Sequence, residues 1–226
     1  AVRRVEGEAA LRCPNARCKG RLKALIFYFT RRSGMDIDRL GTSLIDQLVE
    51  AGLVADVADL FALAEKRDAL LALPRMGEKS CDNVLASIEN AKRARTLSQL
   101  LTALGIPLVG SVAAAAIAKR VRSLQALLAM SPEQLREAIA EIHGIGPRLI
   151  ESVISYFSDE AQRNVAEKLL ALGVVANEPE VAMAAPVDGP LRGLSFCVTG
   201  VLSRPRESIH EAIRNAGGEV HDRVKK

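Results

Sequence analysis

The stretch Ile142-His143-Gly144-Ile145-Gly146-Pro147-Arg148-Leu149-Ile150 decides the fold. Two glycines stand one residue apart between apolar runs, and Pro147 follows Gly146, a favoured place for proline as the first residue of a helix. The segment reads as helix, tight hairpin, helix. Glycine lets the hairpin turn and lets another molecule approach its backbone. The second helix aims its first unpaired N–H groups, and the positive end of its dipole, beyond the hairpin, which is a ready site for a phosphate.

The pattern recurs. Aligned on Gly41, Gly77, Gly110 and Gly146, position −4 holds Ile37, Leu73, Ile106 and Ile142, and position −1 holds Leu40, Met76, Val109 and Ile145. Position +4 holds Ile45, Cys81, Ala114 and Ile150. Positions +7 and +8 hold Leu48 and Val49, Val84 and Leu85, Ile117 and Ala118, and Val153 and Ile154. The offsets +4, +7 and +8 trace one face of a helix, so one supersecondary unit is used four times. The pattern resembles the helix-hairpin-helix motif of DNA repair and replication proteins, which grips the sugar-phosphate backbone without reading sequence. The hairpin glycines are expected either to serve the turn, where a Cβ is forced into φ > 0, or to leave room for a phosphate.

Composition narrows the class. The 226 residues are 49% apolar and 26% charged, as in a folded globular chain. Aromatic residues make up 3%, with no Trp, which leaves few rings for base stacking. No apolar run approaches the ~20 residues of a membrane span, and no signal peptide is visible. The net charge of +4 is a mild bias toward polyanions. Cys13, Cys18, Cys81 and Cys197 are too scattered for a disulfide scaffold, which suits a reducing compartment. Beginning at Ala1 and ending on Lys225-Lys226 in mid-pattern, the sequence reads as part of a longer chain.

Taken in order, residues 1–22 carry Cys13-Pro14-Asn15-Ala16-Arg17-Cys18. This pair offers half of a four-ligand zinc site, or else two free thiols. Residues 23–172 hold the four hairpins. A short packed segment is expected over Leu25–Phe29 and a short helix over Asp56–Ala64, with Arg31 and Arg32 either contacting phosphate or sitting in a solvated basic turn. The second hairpin's helix ends on Lys92-Arg93-Ala94-Arg95, where basic residues complement the helix dipole or contact DNA. Ser131-Pro132-Glu133-Gln134 starts a helix strongly. Cys81 falls on an inward helix face, and His143 reads as a surface residue of its hairpin. Residues 173–190, with three prolines and no period, read as a linker. Residues 191–226 read as strand, helix, strand, hence a parallel pair in an incomplete α/β domain with Cys197 inward.

In combination these features closely resemble the C-terminal half of bacterial NAD⁺-dependent DNA ligases. The carriers are Glu8-Ala9-Ala10-Leu11-Arg12-Cys13-Pro14-Asn15, Met35-Asp36-Ile37-Asp38 with Leu40-Gly41, Asp59-Leu60-Phe61 and Arg75-Met76-Gly77-Glu78-Lys79-Ser80. Leu104-Gly105-Ile106 with Val109-Gly110 and Gly144-Ile145-Gly146 follow. The tail, Gly193-Leu194 through Val198-Thr199-Gly200 with Arg204 and Gly217-Gly218, resembles the start of a BRCT domain.

The resemblance implies a mainly α fold: a partial four-cysteine zinc finger over 1–22, a tandem helix-hairpin-helix domain over 23–172, a linker, and the first part of a BRCT domain over 191–226. Cys13 and Cys18 match the finger's second pair, so the Zn²⁺ site is incomplete. It implies a bacterial, cytoplasmic, nucleoid-associated nick-sealing enzyme that uses NAD⁺ and Mg²⁺. Its adenylated lysine lies in a Lys-x-Asp-Gly motif that this sequence lacks; the nearest string is Lys66-Arg67-Asp68-Ala69. The expected DNA contacts are Gly41, Gly77, Lys79, Gly110, Ser111, Gly144, Gly146, Arg148, Arg31 and Arg32, with nicked duplex as partner and further protein or DNA contacts through the BRCT-like tail. The alternative is a non-enzymatic helix-hairpin-helix module of a repair or recombination complex.

Overall fold

The computed structural model describes residues 3–4, 11–13, 15, 18–179, 189–200 and 206–221. Glu8-Ala9-Ala10, Pro14, Arg204 and the residues after His221 lie outside the described residues, as does 180–188 of the expected linker. The chain divides into two compact units, 1–179 and 180–226.

The first unit is helical. A two-residue antiparallel pair, β1 (Arg3–Arg4) and β2 (Leu11–Arg12), precedes it, with Arg3 opposite Arg12. Helix α1 (Lys19–Thr30) follows, so the chain is already helical before residue 23. Its inward positions Leu22, Ile26 and Phe29 are spaced i, i+4, i+7, a helical face that the solid apolar run around them masks. The array continues with α2 (Thr42–Glu50), a 3₁₀ stretch (Ala58–Lys66), α3 (Arg67–Leu71) and α4 (Glu78–Ala94). Then come α5 (Leu97–Ala103), α6 (Ser111–Val121), α7 (Leu124–Ala129), α8 (Pro132–Ala140), α9 (Pro147–Ser158) and α10 (Glu160–Ala171).

The helix expected over Asp56–Ala64 is thus a 3₁₀ stretch beginning two residues later. Its start is bonded both ways. The Ala58 and Asp59 amides donate to the Asp56 carboxylate, and the Ala55 and Asp56 amides donate to the Asp59 carboxylate.

Hairpin helices pair as α1 with α2, α3 with α4, α5 with α6 and α8 with α9. The repeated apolar positions build one core. Ile45, Leu48, Cys81, Val84, Ala114, Ile117, Ala118 and Val153 are all at most 3% exposed, so the +4, +7 register points inward in every repeat. Cys81 is a core residue, as its helix face requires. Gly34 sits where the loop after α1 meets α5. A Cβ there would lie 2.7 Å from the Phe29 carbonyl oxygen and 2.9 Å from Ala103 Cβ.

Helix α10 closes the array. It packs on α9, α7 and the 3₁₀ stretch. Lys168 reaches Asp56 at 2.9 Å and Asp59 at 2.7 Å, across more than a hundred residues of sequence. The segment after α10, read as the start of a linker, stays packed as far as Glu178. Val174 and Ala176 are buried, the Leu124 amide donates to Ala176 O, and the Ser98 amide donates to the Glu178 carboxylate.

In the second unit, β3 (Ser195–Cys197) and β4 (Glu219–His221) form the expected parallel pair, with Phe196 opposite Val220. Helix α11 (Arg206–Asn215) connects them and packs on β4. Gly218 is buried, and a Cβ on it would stand 2.8 Å from Ile213. Cys197 is half-buried in the two-stranded pair rather than enclosed.

The Lys168 clasp has a testable pH signature. Burial works against the Asp59 charge, but the Lys168 ammonium and the Ala55 and Asp56 amides outweigh it and hold the carboxyl below its usual range. A depressed carboxyl contributes stability above its unfolded pKa and loses it as pH falls through the folded value. Lys168 is 39% exposed, so solvent screening limits the expected loss in Lys168→Met to about 1 kcal/mol, or roughly 2–4 °C in melting temperature. Thermal melts should show that gap at neutral pH and show it shrinking below about pH 4.

Candidate nucleic-acid interface

The four hairpins share one backbone. In the last three, the amide at −1 donates to the carbonyl at −4: Met76 to Leu73 at 3.1 Å, Val109 to Ile106 at 3.1 Å and Ile145 to Ile142 at 3.2 Å. The residue at −2 has positive φ in all four: Arg39 at 71°, Arg75 at 63°, Leu108 at 66° and Gly144 at 86°. Only the fourth hairpin places glycine there. Each of the other three holds a side chain in a left-handed conformation that costs roughly 1 kcal/mol or more.

This corrects the expectation for the aligned glycines. Gly41, Gly77, Gly110 and Gly146 are the N-caps of α2, α4, α6 and α9, with φ of −73°, −92°, −89° and −89°. Any residue can adopt that backbone, so the turn does not demand glycine at these sites. What the four do share is open space: a Cβ added at any of them meets nothing within 4 Å.

The helix N-termini fall into two groups. Helices α5, α7, α8 and α10 do not follow a hairpin, and each is capped by its own N-cap side chain. Thr96 accepts from the Gln99 amide, Ser123 from Ala126, Ser131 from Gln134 and Asp159 from Gln162. Helices α2, α4, α6 and α9 follow hairpins, and none has a side-chain cap. Helix α1, which starts after Cys18, and the short α3, which starts after Lys66, also lack one. The hairpin helices therefore leave their first amides without a cap from the N-cap side chain.

The cations divide in a similar way. Lys19 and Lys23 pair with Glu50, Arg67 with Asp82, Arg93 with Glu89, Arg95 with Asp36, Arg120 with Glu141, Arg136 with Glu151 and Arg163 with Glu167. Lys19 first, then Lys23, holds the Glu50 carboxyl down at about 2. By contrast, Arg32, Arg39, Arg75, Lys79, Lys119 and Arg148 are exposed and have no ionic partner among the described residues. Arg39 and Arg75 occupy the −2 position of hairpins one and two. Lys79 and Arg148 are the second residues of α4 and α9.

The expected contacts are thus placed as follows. Lys79, Ser111 and Arg148 are exposed in first helical turns, beside Gly77, Gly110 and Gly146. Gly144 provides the left-handed residue of the fourth hairpin. Arg31 stacks its guanidinium 4.4 Å from the Tyr28 ring centroid, and Arg32 is exposed beside it. His143 is exposed. Glu78 puts a carboxylate in the first turn of α4, which opposes an anion there; α2, α6 and α9 have none. Arg39 and Arg75 are not among the expected contacts, although both sit at the same offset from an aligned glycine.

The third hairpin is braced from α9. Ser152 donates to the Pro107 carbonyl at 2.6 Å and Tyr156 to the Leu104 carbonyl at 3.3 Å. Burial pushes the Tyr156 hydroxyl above its ordinary range, with Asp159 adding to it, so it stays a neutral donor.

Cys13 and Cys18 are both half-buried and free. Arg21 donates to the carbonyls of Cys13 and Asn15 and shapes the turn between them. The Arg21 amide, then the neighbouring Cys13, lower the Cys18 thiol below its usual range. That chemistry suits a thiolate ligand, but no third His, Cys, Asp or Glu joins them among the described residues. Zinc requires four ligands, and two thiols are half of that number.

Paired helices joined by hairpins, with glycine N-caps and no side-chain cap at the second helix, define a tandem helix-hairpin-helix array. Residues 99–166 match the family described as helix-hairpin-helix motif, and residues 186–226 match the BRCA1 C Terminus (BRCT) domain. The chain is 42% identical over 218 residues to the DNA ligase of Symbiobacterium thermophilum, covering 96% of this chain and 31% of that one. It is 38% identical over 224 residues to the DNA ligase of Brevibacillus brevis, covering 99% and 33%. It is 39% identical over 218 residues to the DNA ligase of Thermotoga maritima, covering 96% and 30%. The chain spans about a third of the length of these relatives. These matches are consistent with the C-terminal part of a bacterial DNA ligase.

Gly144 and Gly146, one residue apart, should respond differently to the same substitution. Gly146→Ala loses a glycine N-cap, worth roughly 1 kcal/mol, but gains about 0.4–1 kcal/mol from a stiffer unfolded chain. Its melting temperature should therefore stay within about 2 °C of the parent. Gly144→Ala carries a Cβ at φ 86° and should melt about 2–4 °C lower. Equal losses at both positions would contradict this reading of the hairpin.

Proposed function

We propose that this chain is the duplex-gripping part of an NAD⁺-dependent DNA ligase that seals single-strand nicks in the bacterial cytoplasm during replication and repair. The observation that supports it best is the split between helices that cap themselves and hairpin helices that do not. An α-helix leaves its first N–H groups without intrahelical partners, and a phosphate oxygen satisfies them while meeting the positive end of the dipole. Backbone amides recognise any phosphate alike, so such contacts position a duplex without reading it. Arg39, Arg75, Lys79 and Arg148 add neutralising charge at the same hairpins.

In this reading the chemistry of sealing lies elsewhere in the enzyme, where NAD⁺ would supply the adenylate and Mg²⁺ would assist its transfer. The string nearest to an adenylation motif is used structurally here. Lys66 donates to the Leu53 carbonyl at 2.9 Å and Arg67 pairs with Asp82 at 2.5 Å. Cys13 and Cys18 would give two thiolates to a structural zinc whose other ligands lie outside the described residues. The BRCT unit would dock protein or DNA.

Titrating labelled nicked and intact duplex with the 226-residue chain over a salt series tests this. Binding of both, with log K falling by roughly 0.9 per phosphate neutralised for each log unit of salt, is expected. Arg148→Ala should reduce that slope by about 0.9, and Gly146→Ala should weaken binding with its melting temperature kept. The same chain mixed with labelled NAD⁺ should take up no covalent label. Salt-independent binding, strong sequence preference or covalent labelling would each count against the assignment.

A further inference from the structure

Hairpin three differs from its neighbours at the two positions that carry charge elsewhere. Position −2 is arginine in hairpins one and two but Leu108 here. Position +2 is Lys79 in the second repeat and Arg148 in the fourth but Val112 here. Leu108 is 64% exposed and Val112 is 85% exposed, and no other large apolar side chain among the described residues is more exposed. Neither position is filled by default. The fourth hairpin shows that glycine serves at −2, yet here a branched side chain is held at φ 66° with most of its surface in water. That combination costs stability twice, once in backbone strain and once in unburied apolar surface, and it recurs at no other hairpin.

We propose that hairpin three is the apolar tip of the duplex interface: Leu108 and Val112 lie in the groove against deoxyribose carbons, between phosphates held by the other hairpins. This rests on the duplex-binding reading. It extends that reading from charge to shape, because apolar side chains set into a groove favour a duplex whose groove is open or deformable at that point. Three features favour DNA as the occupant. Gly110 is as open as the other aligned glycines, and α6 is equally uncapped. Leu108 also stands in the register of the free Arg39 and Arg75 of the first two hairpins, and Val112 in that of Lys79 and Arg148 of the second and fourth. Finally, Ser152 and Tyr156 of α9, the helix that carries Arg148, hold the carbonyls beside this tip in place.

The test uses Leu108→Gly, Val112→Ser and Arg148→Ala in the 226-residue chain, with duplex affinity measured over a salt series and melting temperature as the folding control. Leu108→Gly relieves the left-handed strain and loses little buried surface, so it should melt at or above the parent. Val112→Ser is a second variant on an independent, helical site. Each should weaken duplex binding about tenfold while leaving the salt slope unchanged, since no phosphate contact is lost. Arg148→Ala should lower the slope. Wild-type affinity in both apolar variants, with the slope still lowered in Arg148→Ala, would overturn the tip and leave the duplex reading intact. If Arg148→Ala also behaves as wild type, the duplex reading falls with it. Unchanged duplex affinity together with a dimer in sedimentation that Leu108→Gly dissolves would assign the tip to a second copy and equally overturn the proposal.

Discussion

An α-helix cannot satisfy its own first amides, and this structure treats that constraint in two opposite ways. At α5, α7, α8 and α10, which follow no hairpin, a Thr, Ser or Asp at the N-cap closes the end. Thr96 and Ser131 do so in reciprocal boxes with Gln99 and Gln134. Where a helix follows a hairpin, the N-cap is glycine and the end stays open. Glycine is a tolerable cap, costing only a few tenths of a kcal/mol relative to serine. The array thus keeps four open helix ends at little expense in stability, and the apolar −4, −1, +4 and +7 positions hold each of them in place.

Open ends are useful only if the hairpins are held rigidly, and long-range contacts do that. Lys168 ties α10 to the start of the 3₁₀ stretch through Asp56 and Asp59. Glu178 accepts from the first turn of α5, and its own amide donates to the Arg122 carbonyl at the end of α6. Arg95, at the end of α4, pairs with Asp36 ahead of the first hairpin. These links connect repeats distant in sequence and neutralise the cations involved. The arginines and lysines left free are chiefly those in hairpins and first turns.

The sequence revealed whatever depends on local period. The glycine register, the inward +4 and +7 faces, the helix starting at Ser131 and the strand–helix–strand order of the tail are all visible in it. It concealed features that depend on backbone conformation or distant partners. The glycine most needed for the turn is Gly144, not the aligned Gly146, because positive φ falls two residues before the N-cap. That offset holds Arg39, Arg75 and Leu108 in the other repeats, so composition gives no hint of it. Helix α1 was obscured by a continuous apolar run, and the 3₁₀ stretch by a pattern that also fits an α-helix. Nothing local to Lys168 or Val174 announces a partner elsewhere in the fold.

Amide hydrogen exchange on the 226-residue chain, with and without duplex DNA, tests the central claim most directly. The account predicts that the first-turn amides of α4, α6 and α9 exchange fast in the free chain and slow when duplex is added. The first turns of α5, α7, α8 and α10, already bonded to Thr96, Ser123, Ser131 and Asp159, should not change. Protection by DNA that appears at the self-capped helices, or that spares the hairpin helices, would contradict it.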